Sequence, residues 1–352
     1  MHLSDFDYNL PEDLIAQTPI EPRDHSRLLI LDKNWNIIEN KFFEIENQLW
    51  ENDVIVLNET RTINARLFWE IDIYPKWKKE IKKVEIFLHK QISLDTWECL
   101  GYPGKNLKIW RNIRFFDDKW VLVLNWFIEK VSDMWRFIRF DKSWFDFLQI
   151  IESLWELPLP PYITKKLENS ERYQTVYAKH HWSAASPTAW LHFTSELLER
   201  LEKRGVKIEK VLLHVWVGTF KPVETEDIKN HYMHSEYIEI QKEVSERLNK
   251  YKKDWKNIIA VWTTCVRVLE SFSNATGILD YWNKETSIFI YPWYKWKFVN
   301  ELITNFHLPK STLLMLVSSL WWKENIKKAY NYAINSKFRF FSFWDAMRIK
   351  NK

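Results

Sequence analysis

LITNFHLPKSTLLMLV, residues 302–317, decides how the second half of the chain is read. Leu302 and Ile303 end an apolar run of strand character. Asn305, His307 and Lys310 crowd a polar turn, and Pro309 stops the strand. Ser311 or Thr312 can cap a helix that buries Leu313, Leu314, Met315 and Val317. The unit is strand, turn, helix. A helix amide end beside His, Asn and Lys can hold an anion or polarise a base. The same residues also describe nothing more than a capped helix behind a solvated turn.

The pattern recurs on both sides. Ile258–Val261 reads as a strand running into Trp262-Thr263-Thr264-Cys265-Val266-Arg267 and a helix through Leu269. Val211–Val217 (VLLHVWV) and Thr286–Tyr291 also read as strands. A helix starts near Thr194, buries Leu197, Leu198 and Leu201, and stops at Gly205. Another covers Glu324–Ile334. Nearer the start, LLILD (28–32) and DVIVL (53–57) are strands, and Asn58, Thr60 and Arg61 follow the second at once. Strands alternating with helices predict an α/β domain.

Between Arg61 and Leu157 helical periodicity fades. Short strand runs recur at Val84–Leu88, Val121–Leu124 and Phe137–Phe140. Pro158, Pro160 and Pro161 mark the return to the first texture. The expected organisation is an α/β catalytic domain from residues 1–60 and 158–352, with a small β-barrel domain, residues 61–157, inserted. The insert holds 17 Lys and Arg against 14 Asp and Glu. Lys76, Lys78, Lys79, Lys82 and Lys83 cluster within it as candidate RNA contacts, although a solvated lysine face explains them as well.

A chain of 352 residues with 46% hydrophobic and 28% charged residues has an ordinary soluble composition. Net charge is only +4, a weak pointer to nucleic acid. Two cysteines, Cys99 and Cys265, make neither a disulfide framework nor a zinc spacing. The chain opens without a signal-peptide pattern and lacks a membrane-length apolar run, so a cytoplasmic protein is expected. His231, His234 and Glu236 suit zinc only loosely, without an HExxH spacing or a nearby Cys, and no metal is expected. Imidazole titrates near neutral pH, so acid–base work fits them better. GxGxxG, Walker A and GxSxG patterns are absent, which argues against a nicotinamide dehydrogenase, an ATPase and a common esterase.

One count is out of line. There are 5 Gly and 22 Trp. Gly is 1.4% of the chain where about 7% is usual, and Gly and Trp together make 7.7%. Asn34-Trp35-Asn36, Asp254-Trp255-Lys256 and Tyr281-Trp282-Asn283 have turn chemistry, where glycine supplies positive φ. The pattern is that of glycines written as tryptophans, as when UGA codons meaning glycine are translated as Trp.

ERYQTVYA, PTAWLHFT, HVWVGTF, HYMHSE, WTTCVR, IYPWY, TNFHLPKSTLLMLV and FFSFWDAM, with LSDFDYNLPEDLIAQTP and VLNETR, resemble the S-adenosylmethionine:tRNA ribosyltransferase-isomerases of queuosine synthesis. The resemblance runs essentially end to end. Trp190, Trp216, Trp262, Trp293 and Trp344 stand where that family has glycine. Trp296 stands where it carries an aromatic, and Trp97 also reads as a true tryptophan. Cys265 replaces a common Ser.

The resemblance implies a monomeric two-domain fold and an unusual reaction. The ribosyl part of S-adenosylmethionine, a co-substrate rather than a bound cofactor, moves onto 7-aminomethyl-7-deazaguanine at the tRNA wobble position. It rearranges to epoxyqueuosine, and adenine and methionine leave. Such chemistry needs a base for a proton next to the sulfonium and an acid for departing adenine. It also needs donors for the methionine carboxylate and a surface that reads an unstacked anticodon base. His192, His214, His231, His234 and His307 are the candidate acid–base groups, with Glu236 and Asp345 orienting or assisting them. Arg267 with the amides of Thr263 and Thr264 can hold a carboxylate or phosphate, and Asn58, Arg61 and Arg172 can bind base or ribose. Asn305 and Lys310 complete the candidate substrate contacts. Two other classes compete: a tRNA-binding relative without activity, and a methyltransferase using the same co-substrate. The second lacks a glycine-rich first turn, and release of adenine separates the ribosyltransferase from both.

Overall fold

The computed structural model describes residues 1–34, 36–62, 66–73, 80–93, 95–109, 112–116, 122–132, 135–141, 180–183, 192–214, 223, 225–233, 235–340 and 345–350. In chain order the first strands are β1 Arg27–Leu31, β2 Ile37–Lys41, β3 Asp53–Asn58, β4 Thr60–Thr62 and β5 Arg66–Ile73. Next come β6 Glu80–Gln91, β7 Thr96–Tyr102, β8 Asn112–Phe116, β9 Leu122–Val131, β10 Trp135–Phe140 and β11 His180–Ser183. The last are β12 Lys207–Leu213, β13 Glu236–Ile240, β14 Asn257–Val261, β15 Trp282–Thr286, β16 Glu301–Asn305 and β17 Ala346–Lys350. Five α-helices lie among the described residues: α1 Ser195–Lys203, α2 Lys242–Lys253, α3 Thr263–Phe272, α4 Thr312–Leu320 and α5 Lys323–Asn335. None is long and apolar enough to cross a membrane.

The chain divides into two compact units. One comprises Met1–Arg61, Pro160–His181 and Ser186–Lys352; the other comprises Thr62–Leu159 and Trp182–Ala185. The larger unit holds a nine-stranded mixed sheet, order β15-β13-β12-β3-β14-β16-β17-β1-β2. Strands β12, β3, β14 and β16 run parallel. β17 is antiparallel to β16 and parallel to β1, while β13 is antiparallel to β12 and β15 to β13. These directions bring the ends of β12, β3, β14, β16 and β15 to the same edge as the starts of β13, β17 and β1. β3 and β16 are buried at every residue and β14 at all but its first, which is why they read as continuous apolar runs rather than alternations.

The opening stretch folds as strand, turn and helix. β16 ends at Asn305, and the Ser311 hydroxyl caps α4 by accepting from the Leu314 amide at 3.1 Å. Its turn is less solvated than its polarity suggests: Asn305 and His307 are buried, and of the three polar residues Lys310 alone reaches the surface, beside the exposed Leu308. At the other end of α1, Thr194 caps through the Leu197 amide and Gly205 follows at φ 88°.

Two expected strands shift. The strand expected over Val211–Val217 begins at Lys207 and ends at Leu213. Its first half, Lys207 to Lys210, is charged but for Ile208 and buries only Glu209, so it lacks the apolar run by which it would be recognised. The strand expected over Thr286–Tyr291 is instead Trp282–Thr286, an exposed edge strand laddered to β13. The apolar residues after it leave the ladder, and Phe289 packs against Tyr291 and His231.

The smaller unit is a six-stranded antiparallel sheet, order β5-β6-β7-β10-β9-β8. Val84, Ile86 and Leu88 bury one face of β6, and Trp97, Cys99, Trp126, Ile128, Ile138 and Phe140 do the same for its neighbours. β4 and β11 form a separate two-stranded sheet.

Candidate functional site

In parallel sheets ligand groups gather beyond the carboxyl ends of the strands. Asn58 closes β3, His214 follows β12, Glu236 opens β13, Thr263 follows β14 by two residues, Asn305 closes β16, and Asp345 precedes β17. All lie at the one edge shared by these strand ends. Ser26, just before β1, joins them and brings His192 with it: its hydroxyl is 2.8 Å from His192 Nδ1. The opposite edge is occupied by a buried structural network, with Arg348 on Glu301 at 2.7 Å and Asn257 bridging Glu301 and Asp53.

His192 is 4% exposed and its ring lies 5.0 Å from that of Phe42. Its Nε2 makes no close, well-aligned hydrogen bond among the described residues, although the Asn305 side chain lies near enough to interact with the ring. Burial pushes its pKa down to about 3, helped by the positive charge of Arg339, so the ring is neutral at pH 7. Asn305 is fully buried, and neither atom of its carboxamide has a geometrically sound partner among the described residues. His192 and Asn305 thus lie beside one another at one sheet edge, with bonding capacity left over for a ligand.

Arg267, on α3, is 4% exposed and ion-paired through Nη1 to Glu236. Burial lowers its pKa to about 10, still charged at pH 7. Its Nε and Nη2 lack partners among the described residues, and the Thr264 hydroxyl has only the weak neighbour of the Cys265 thiol. Glu236 therefore orients a buried guanidinium. Removing it would leave that charge uncompensated, a loss of about 3–5 kcal/mol for such pairs.

The remaining candidates are placed as follows. Asn58 ties β3 to β12, donating to the Leu213 carbonyl at 3.0 Å and accepting from the Leu213 amide at 2.9 Å and the Thr60 hydroxyl at 2.9 Å. His214 stacks on Tyr237 at 5.3 Å, and His231 sets its edge on Phe289. Asp345 accepts from the Arg27 and Arg339 amides at 2.7 and 2.8 Å, while burial raises its pKa. Lys310 pairs with Asp7 at the surface, where such bridges contribute little. His307 sits in the core, with Nε2 at 2.9 Å from the Thr304 hydroxyl and burial holding its pKa near 3. Arg172, His234, Lys76, Lys78 and Lys79 lie outside the described residues, and for Arg61 and Lys83 only the strand is described. Lys82 is exposed on β6. Among the described residues no group of three or more His, Cys, Asp and Glu could hold a metal ion.

Two residues escape a reading of the sequence. Ser26 looks like an ordinary turn serine before a strand; only the fold brings it to His192. Glu270 reads as a surface carboxylate of α3, yet it is fully buried and accepts from the amides of Lys297, Phe298 and Val299 and from the Tyr294 hydroxyl. Its neighbours Val268 and Leu269 are buried as well, which was the available signal.

The depressed histidines fix a pH dependence. Both His192 and His307 bind a proton near pH 6.5 when unfolded and near pH 3 when folded. Stability is then complete above pH 6.5 and falls as pH drops through that window, by about 2 kcal/mol per histidine at pH 5. Urea unfolding from pH 7 to 5 is expected to follow this slope, and His307→Gln to remove about half of it. An equal slope in the variant would exclude the assignment.

Comparison with known proteins identifies the family. The family described as queuosine biosynthesis protein matches residues 3–349. The S-adenosylmethionine:tRNA ribosyltransferase-isomerase of Acetivibrio thermocellus is 48% identical over 99% of this chain and 100% of its own. That of Clostridioides difficile is 46% identical with the same coverage. The crystal structure of S-adenosylmethionine tRNA ribosyltransferase from Thermotoga maritima is similar at 32% identity and a TM-score of 0.55, covering 98% of this chain and 100% of that one. With its whole length matched, the chain belongs to the queuosine biosynthesis protein family of S-adenosylmethionine:tRNA ribosyltransferase-isomerases.

Proposed function

We propose that this enzyme moves the ribosyl part of S-adenosylmethionine onto 7-aminomethyl-7-deazaguanine at the wobble position of tRNA, yielding epoxyqueuosine, adenine and methionine. Its membership of the family carries the reaction. The observation that supports the site is the gathering of orphaned polar groups, His192 Nε2, Asn305, Thr264 and Arg267, at one edge of the main sheet. His192 is the acid–base group we favour, because it is neutral and its Nε2 is unspent. Asn305 would orient the base or ribose beside it. Glu236 and Asp345 hold structure around the site. The lysines at 76–83 remain our candidates for the tRNA backbone. The smaller sheet is proposed to close toward a barrel, since its two edge strands, β5 and β8, approach one another. A cytoplasmic monomer without metal or bound cofactor accords with this reading.

Incubation with S-adenosylmethionine and tRNA bearing the aminomethyl-deazaguanine is expected to release adenine and methionine together. S-adenosylhomocysteine in their place would identify a methyltransferase. No product, with tRNA still bound, would favour the inactive tRNA-binding relative.

A further inference from the structure

The first turn of α3 has no cap. The amides of a helix's first turn have no intrahelical acceptor, and the residue before this one, Trp262, offers no side-chain hydrogen bond. Partial positive charge therefore collects at the end of β14, at the candidate edge. Independently, two buried side chains on the same helix are short of partners. The Thr264 hydroxyl lies in that first turn, 6% exposed, and Arg267 follows three residues later on the same face. Helical side chains lean toward the N-terminus, the direction that would carry the Arg267 guanidinium toward the turn holding Thr264. Only its Nη1 is engaged, by Glu236; Nε and Nη2 remain available for a second anion.

We propose that this turn is a carboxylate subsite, in which the free amides, the Thr264 hydroxyl and Arg267 receive the methionyl carboxylate of S-adenosylmethionine. The assignment rests on the ribosyltransferase reading. Depth separates carboxylate from tRNA phosphate. Residues 262, 264 and 267 are each under a tenth exposed, and a phosphodiester flanked by two nucleotides cannot reach such depth. A carboxylate at the end of a flexible arm can. The buried indole of Trp262 occupies volume at this turn, with an Nε1 that also lacks a partner among the described residues. Glycine at 262 would open that volume to the ligand.

Calorimetric titration tests the subsite in the full chain carrying Trp262→Gly together with glycine at 190, 216, 255, 282, 293 and 344, its folding verified by urea unfolding. Two ligands are compared, S-adenosylmethionine and 5′-methylthioadenosine, which lacks the amino-acid arm. Thr264→Val and Arg267→Lys are each expected to weaken S-adenosylmethionine about tenfold or more, the scale of a lost bond to a charged group, and to leave methylthioadenosine unchanged. Thr264→Val is isosteric and keeps the test intact if the arginine variant fails to fold. Equal loss for both ligands, or an unchanged affinity for S-adenosylmethionine, overturns the subsite. Loss confined to tRNA binding overturns it in favour of phosphate. If the parent binds neither small ligand, the ribosyl-donor reading itself fails, and the subsite with it.

Discussion

His192→Ala is expected to lower turnover by about a hundredfold or more, the usual loss for a general acid or base, while the folded protein persists. The side chain is buried, neutral and held at Nδ1 by Ser26, so its Nε2 has a fixed direction. A buried ring nitrogen without a partner is costly in a folded protein, and its retention makes sense where substrate completes the bond. In the proposed role the neutral ring accepts the proton next to the sulfonium through Nε2 and, once charged, returns one to departing adenine; at a pKa near 3 it is a weak base, so the role requires bound substrate to raise that value. Ser26→Ala removes only the orienting bond. A loss nearer tenfold, with a shifted pH–rate profile, is expected there; a serine that merely fills space would leave the profile unmoved. Activity is scored per folded molecule, with urea unfolding run in parallel. Normal specific activity in the folded fraction of His192→Ala would make the ring a core residue and return the acid–base role to His214, His231 or His234.

The fold was legible where local chemistry and tertiary demand agree. Residues 302–317 carry their own strand and cap, and the structure uses both, although the strand ends at Asn305, four residues before the expected stop at Pro309. Legibility failed where pairing overrides apolarity. WNKET makes an edge strand because β13 presents a free ladder, while the more apolar residues after it pack as a loop. For the site, the polar residues after β3, β14 and β16 were readable as candidates, and the parallel directions of these strands bring them to one edge. What each polar group does there was not. Asn58 looks like a substrate contact and Asp345 like a helper of the acid–base groups in a sequence; in the structure the oxygens of both accept from backbone amides. His307 looks like a turn histidine and is a core one. Ser26 is separated from His192 by more than a hundred residues, and no local pattern announces such a pair.

Restoring glycine at the tryptophans of the left-handed region is expected to turn an insoluble or inactive chain into a soluble enzyme. Outside glycine, six described residues have positive φ, and four are tryptophans: Trp255 at 58°, Trp262 at 88°, Trp282 at 87° and Trp293 at 80°. A bulky residue is a true outlier there. Trp262 combines φ 88° with ψ 156°, a region essentially reserved for glycine. Such residues cost about 1–3 kcal/mol each, so four sum to roughly 4–12 kcal/mol. A normal domain has only about 5–15 kcal/mol to lose. Nor do the side chains return the cost by packing, since the indoles at 255, 282 and 293 are 91%, 70% and 76% exposed. The tryptophans read as genuine behave otherwise. Trp97 is 3% exposed within β7, and Trp296 donates from Nε1 to the Ser319 carbonyl at 3.1 Å. Glycine at 255, 262, 282 and 293, and likewise at 190, 216, 344 and most other Trp positions, is therefore expected to raise soluble yield and activity together. Trp97→Gly is expected to cost about 3–5 kcal/mol, as emptying a buried aromatic site does. Reading the gene settles the cause: UGA at the first group with UGG at 97 and 296 supports glycine decoding. UGG throughout would make the tryptophans real and leave a strained relative whose α3 turn is blocked by its own indole.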